Sequence, residues 1–155
     1  MSCAKNFTYI SFIYLLLVSA AFSAGSLSIE NAWSPEAPPV AKVMAGYLKI
    51  KNNSNNDIKI QSASSNLFNR VEIHLTEMTN GMMRMIKQEN LNIKANGHIE
   101  LKPGGLHMML IGRKQPVKKG SIIPVTLTLD NGEKTTINLM VKDEPQTEQH
   151  QHHHH

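Results

Sequence analysis

The chain has 155 residues, room for one domain and little else. Its formal charge of +4 is scattered rather than gathered into a stripe, and it has only four Phe, three Tyr and one Trp. With neither a basic face nor a set of stacking aromatics, nucleic-acid binding drops out as a leading reading.

Residues 1–23 hold one lysine, then an apolar run from Tyr9 to Phe22, closing on Ala21-Phe22-Ser23. The run is short for a membrane span and ends on a small-x-small cleavage pattern, so a secretory signal peptide is expected, with Ala24 as the new N-terminus. The competing reading is an uncleaved membrane anchor. The only cysteine, Cys3, lies inside this segment. A mature chain without cysteine has no disulfide and no thiolate chemistry, and lacks the Cys ligand of a blue-copper centre.

From residue 24 to 142 polar and apolar residues alternate with period two, over 27–33, 44–51, 58–62, 71–78, 82–88, 98–101, 107–111, 122–130 and 134–141. Short Asn-, Gly- and Pro-containing turns separate these segments. The pattern predicts an all-β domain, an antiparallel β-sandwich or barrel, with at most a short turn of helix near 64–68.

Two Asn-Gly pairs extend the reading to register. A two-residue loop at Asn80-Gly81 sets Thr79 opposite Met82, Thr76 opposite Met85 and His74 opposite Lys87. His74 and Met85 then share a face as diagonal neighbours, about 7–8 Å apart at Cα. Val71, Ile73, Leu75 and Ile86 fall on the other face and are expected in the core. At Asn131-Gly132 a two-residue loop would set Leu127 against Thr136 and spoil the apolar face. A three-residue loop with a Gly bulge, pairing Leu127 with Ile137 and Val125 with Leu139, is expected instead. The polar, proline-containing residues 143–155 are expected to be a disordered, His-rich tail.

Six of the nine methionines fall between Met78 and Met109, and His74 and His107 lie in or beside the same window. On the strand at 107–111, His107 and Met109 share a face while Met108 and Leu110 point the other way. Two His/Met pairs can make one four-ligand site if the sheets bring them together. Thioether sulfur is soft and imidazole borderline, a combination that suits Cu(I); zinc favours thiolate, imidazole and carboxylate, and calcium or magnesium wants oxygen.

His74, ten intervening residues, Met85, twenty-one intervening residues, then His107-x-Met109 resembles the signature of the periplasmic PCu(A)C copper chaperones. The flanks VEIHLTEMTNGMMRM (71–85), LKPGGLHMMLIGRKQPVKKG (101–120) and IPVTLTL (123–129) are similar too, so the resemblance covers roughly residues 27 to 142. It implies a cupredoxin-like antiparallel β-sandwich, a Greek-key barrel, holding Cu(I) at a surface site through His74, Met85, His107 and Met109. It also implies a periplasmic protein that is not an enzyme and supplies copper to the Cu(A) centre of cytochrome c oxidase subunit II, alongside or through Sco-type proteins. A monomer with no membrane span after signal cleavage is expected.

The residues leave other readings open. Met78, Met82, Met83 and Met108 suit packing or a rim better than ligation, because Met fills irregular gaps. His98 reads as a surface strand residue. The terminal His150, His152, His153, His154 and His155 read as a purification tag or as a native collector of Cu(II). Arg113, Lys114, Lys118 and Lys119 form either a solvated loop or a docking surface for an acidic partner. Copper sequestration for tolerance, a metal-free structural β-sandwich and a copper redox enzyme are the rival functions. No nucleophile–base pairing, carboxylate dyad or phosphate loop supports the last.

Overall fold

A computed structural model describes residues 26–144; the expected signal peptide and the His-rich tail beyond 144 lie outside the described residues. Ten strands follow in chain order: β1 (Leu27–Pro35), β2 (Val43–Asn52), β3 (Ile58–Ser64), β4 (Phe68–Thr79), β5 (Met82–Gln88), β6 (Leu91–Ile93), β7 (His98–Leu101), β8 (Leu106–Arg113), β9 (Ile122–Leu129) and β10 (Lys134–Lys142). All nine sequence segments recur, six of them longer by one to four residues. The three-residue β6 has too few alternations to register as a pattern. Residues 65–67 form a turn joining β3 to β4, with no helix: Ser65 Oγ accepts from the Leu67 N–H, a local side-chain bond that competes with helix.

Seven strands close on themselves in the order β4-β8-β2-β1-β10-β9-β3, and Ala63 pairing with Val71 returns β3 to β4. The β1–β10 pair is parallel and the others are antiparallel. Period-two alternation is what lets each strand feed one side into this barrel. Met44, Leu48, Ile50, Phe68, Met108, Leu110, Ile123, Val125, Leu127, Leu129, Ile137 and Leu139 are all buried in its interior. At the end of β2, buried Asn52 donates to the carbonyls of Asn56, Ile93 and Lys94 and accepts from the Ser54 N–H. That side chain ties the barrel to β6, replacing ladder bonds the short strand cannot make.

β4 is the element that positions the site. Its first half pairs with β3, and its second half exchanges that neighbour for β5, while β8 runs along the opposite edge. β5 therefore hangs outside the closed barrel. This corrects one expectation: Ile86, placed in the core by its face, is 43% exposed, because neither face of β5 has a barrel interior to enter. Val71 and Ile73, on the barrel portion of β4, are buried as expected.

The β4–β5 register is the expected one, with Thr79 opposite Met82, Thr76 opposite Met85 and His74 opposite Lys87. Asn80 and Gly81 both have positive φ, 53° and 76°, the requirement of the tight hairpin turn. At the second hairpin the three-residue loop and the glycine in the left-handed region (Gly132, φ 83°) are present, but the loop is 130–132 rather than 131–133. Leu127 pairs with Thr135, Val125 with Ile137 and Ile123 with Leu139. The slip is two residues in pairing, so every side chain keeps its expected face.

Candidate metal centre

On β4, Glu72, His74 and Thr76 alternate with the core residues Val71 and Ile73, so they face out of the barrel. On β8, His107 and Met109 do the same opposite buried Met108 and Leu110. The β4–β8 register makes His74 and His107 direct partners and sets Met109 beside Glu72. The two imidazole centroids are 6.1 Å apart. A metal-bound imidazole nitrogen lies about 2.0 Å from the ion, placing the ring centre about 3 Å away, so rings at this separation can share one ion.

Each ring is held by one nitrogen. His107 Nδ1 lies 2.9 Å from the carbonyl oxygen of Gly105, which also accepts the Thr76 N–H at 3.2 Å. The Pro-Gly-Gly turn before β8 therefore both starts the ladder and aims the imidazole. His74 Nε2 lies 3.0 Å from Glu72 Oε2. A carbonyl and a carboxylate only accept, so the neutral rings carry their protons on His107 Nδ1 and His74 Nε2. Their other nitrogens, His107 Nε2 and His74 Nδ1, are left as lone pairs. Among the described residues, these are the only buried side-chain N or O atoms without a hydrogen-bond partner. Native proteins rarely leave such atoms unmet. Two bare acceptors on neighbouring rings are a candidate place for a cation, with the other nitrogens held as outer partners hold metal-binding histidines.

Glu72 is the functional residue that the sequence reading missed. Its side chain is 18% exposed, and the hydrogen bond from His74 holds its carboxyl below the usual carboxylate range, with help from the charges of Lys87 and Arg70, while partial desolvation opposes. The signal was present in V-E-I-H: Glu72 stands two residues before His74 and so shares its face.

The two methionines stand differently. Met109 is half-buried next to the histidine pair. Met85, opposite Thr76 on β5, is one diagonal step from His74 and 59% exposed. Met85 and Met109 thus flank β4 on opposite sides, at opposite ends of the group. The structure brings His74, His107 and Met109 together, and it leaves Met85 at the rim on the hairpin. Among the described residues no three His, Cys, Asp or Glu side chains are grouped to hold a metal ion, and the soft donors beside the histidine pair are thioethers. A cleft of about 340 Å³ at the fork between β3 and β5 is lined in part by Glu72 and Lys87 but not by His107, Met109 or Met85.

The basic run does not sit at this centre. Arg113 is 9% exposed and donates to the carbonyls of Pro38 (2.9 Å) and Pro39. It is a brace for the β1–β2 connection, which removes it from the docking surface considered above. Lys119 is paired with Asp143. His107 and Arg113 are separated by six steps of β8, about 20 Å. His98 is exposed on β7, opposite Lys51 and away from the pair.

The closed seven-stranded barrel with its extra strands is the cupredoxin-like β fold of the PCu(A)C domains. The family model described as "Putative lipoprotein LpqE-like" matches residues 27–141, and the chain belongs to that family, the PCu(A)C family. A curated relative, "Putative lipoprotein Lxx21020" of Leifsonia xyli subsp. xyli, is 29% identical over 121 residues, 77% of this chain and 72% of the relative. An uncharacterised protein of Rickettsia prowazekii, RP573, is 27% identical over 101 residues, 64% of this chain and 56% of that one. Among solved structures, Cu(I)-bound DR1885 from Deinococcus radiodurans matches with a TM-score of 0.59 at 27% identity, over 80% of this chain and 83% of that one. The copper-bound PCuAC domain from PmoF2 matches with a TM-score of 0.65 at 18% identity, over 77% and 95%, a likeness of fold.

Proposed function

We propose that this chain is an exported copper carrier, not an enzyme, that holds Cu(I) through His74, Met85, His107 and Met109 and delivers it to the Cu(A) centre of cytochrome c oxidase. The observation that carries the reading is the pair of partnerless nitrogens, His74 Nδ1 and His107 Nε2, on rings whose other nitrogens are already committed. Neighbouring thioethers select a soft monovalent ion over zinc. The solved relative DR1885, described as Cu(I)-bound, supports the same cargo here.

In this mechanism the rigid part of the site is the histidine pair on the barrel, and the movable part is Met85 on the hairpin outside it. Closure of Met85 over the ion completes the ligand set, and its withdrawal opens a position for a partner's ligand. Subunit II of the oxidase or a Sco-type protein is the expected recipient, and ligands exchange one at a time. Export to the periplasm follows from the proposed signal peptide at 1–23, and the lipoprotein names of the family point the same way. Its removal takes Cys3 with it and leaves residues 24–155 without a thiol to carry a lipid. Among the described residues no helix is long and apolar enough to cross a membrane. The tail histidines 150 and 152–155 are proposed to gather Cu(II) near the site; deleting 150–155 should then lower Cu(II) binding, and an unchanged Cu(II) titration would remove them from the account.

Anaerobic Cu(I) titration against a competing chelator tests the site. One tight equivalent is expected, weakened by His107→Ala and by Met109→Ile, and binding indifferent to both substitutions would overturn it. A deletion strain separates delivery from sequestration: failed oxidase assembly at ordinary copper supports delivery, whereas copper sensitivity with normal oxidase contradicts it.

A further inference from the structure

The β4–β5 hairpin carries methionines that the barrel does not use. Met78, Met82, Met83 and Met85 are 67%, 57%, 67% and 59% exposed, whereas Met44 and Met108 inside the barrel are 3% and 0%. β5 is an edge strand, bonded to β4 alone. Edges of this kind are ordinarily protected by charges or proline, and thioethers here add nothing to the core.

The register sorts the four side chains. Met78 and Met83 are direct cross-strand partners. Met83 and Met85 are two apart on β5, and His74, Thr76 and Met78 are two apart on β4, so all of these share one face. Met82, opposite Thr79, falls on the other. Cross-strand partners have Cβ atoms about 4.5–5.5 Å apart, and methionine's three rotatable bonds let both sulfurs turn to one ion. Met85 is the next residue along this face, between the Met78–Met83 pair and His74.

We propose that Met78 and Met83 form a second, weaker Cu(I) site, where the ion lands before passing by way of Met85 to His74 and His107. The proposal rests on the copper-carrier reading above but concerns a different pair of residues. Two neutral thioethers without an imidazole hold Cu(I) less tightly than the histidine centre, so transfer runs toward the barrel. In each step one Cu–S bond breaks as a bond to Met85 sulfur or to a neutral imidazole nitrogen forms. Copper stays Cu(I) throughout, and no electron or proton moves. The exposed hairpin faces solvent on this side, so an arriving ion meets it without entering the barrel.

Leucine separates this role from an apolar docking patch, because it keeps the surface and removes the sulfur. The full-length chain, labelled with ¹³C at the methionine methyls, is titrated anaerobically with Cu(I) past one equivalent. The Met85 and Met109 methyls should shift with the first equivalent and those of Met78 and Met83 only with the second. In M78L/M83L the Met85 and Met109 shifts of the first equivalent should be retained, the second equivalent should no longer be held against a weak chelator, and capture of Cu(I) from that chelator should be slowed. Unmoved Met78 and Met83 methyls under excess Cu(I), or wild-type capture by M78L/M83L, would overturn the landing site. If Met85 and Met109 also stay unmoved, the carrier reading fails with it; if they shift alone, only the landing site fails.

Discussion

Removing the carboxylate of Glu72 should weaken copper binding although Glu72 is not assigned as a ligand. Its Oε2 lies 3.0 Å from His74 Nε2, and both side chains are largely shielded, 18% and 16% exposed. The contact decides which nitrogen of His74 carries the proton and so which one offers a lone pair. Loss of such outer partners typically costs about 10–100-fold in metal affinity, or about 1.4–2.8 kcal/mol. Glu72→Ala should fall in that range. Glu72→Gln keeps an acceptor but loses the charge; the difference between a charge-assisted and a neutral hydrogen bond is about 1 kcal/mol, so about a fivefold loss is expected. The Arg70 contact at 3.9 Å is not a substitute, since that guanidinium is 67% exposed and offers no acceptor to His74. Competitive Cu(I) titration near neutral pH gives the affinities, and ¹⁵N imidazole shifts of the metal-free protein give the tautomer. Affinities within twofold of wild type for both variants, with the His74 tautomer unchanged, would refute the reasoning.

Leucine at Met85 or Met109 should weaken Cu(I) by more than about 100-fold, beyond the cost of losing an outer partner, while Cu(II) binding changes far less because imidazole is the harder donor; parallel titrations of both ions check this. Protons compete with copper for two imidazole nitrogens, so Cu(I) affinity measured as a function of pH should fall on acidification, whereas binding by thioethers alone would not. The Glu72 carboxyl titrates below its ordinary value, so its contribution to stability is present at neutral pH and is lost only as pH falls through that lowered value; acid denaturation of Glu72→Gln should lack this part of the transition. Leu110→Ala, at a fully buried position, should cost about 2–5 kcal/mol in urea unfolding. Arg113→Ala should cost about 1–3 kcal/mol by leaving the Pro38 and Pro39 carbonyls unmet, with no effect on the salt dependence of copper transfer.

Local register was legible where a turn dictates it. Asn80-Gly81 admits one tight loop, and the whole β4–β5 pairing followed from it, His74 and Met85 included. At Asn131-Gly132 the residues specify a glycine in the left-handed region but not which neighbours complete the loop, so the register moved by two while the faces held. The pairing of His74 with His107 was not legible, because it depends on barrel closure between segments 33 residues apart; period two could say only which face each occupies. Ile86 shows the limit of the same reasoning, since a face is buried only if something lies against it, and β5 stands outside the barrel. Arg113 shows another: a basic run in sequence alternates sides in space, and this member turned inward to two proline carbonyls. Glu72 needed only the period-two rule applied one step before His74.

X-ray absorption at the copper edge of the full-length chain loaded with one equivalent of Cu(I) tests the central claim most directly. A Cu(I) edge with both imidazole nitrogen and sulfur scatterers bound to the ion is expected, the sulfur diminished in Met109→Leu and the imidazole diminished in His107→Ala. Nitrogen and oxygen scatterers alone, or a spectrum unchanged by both substitutions, would contradict it.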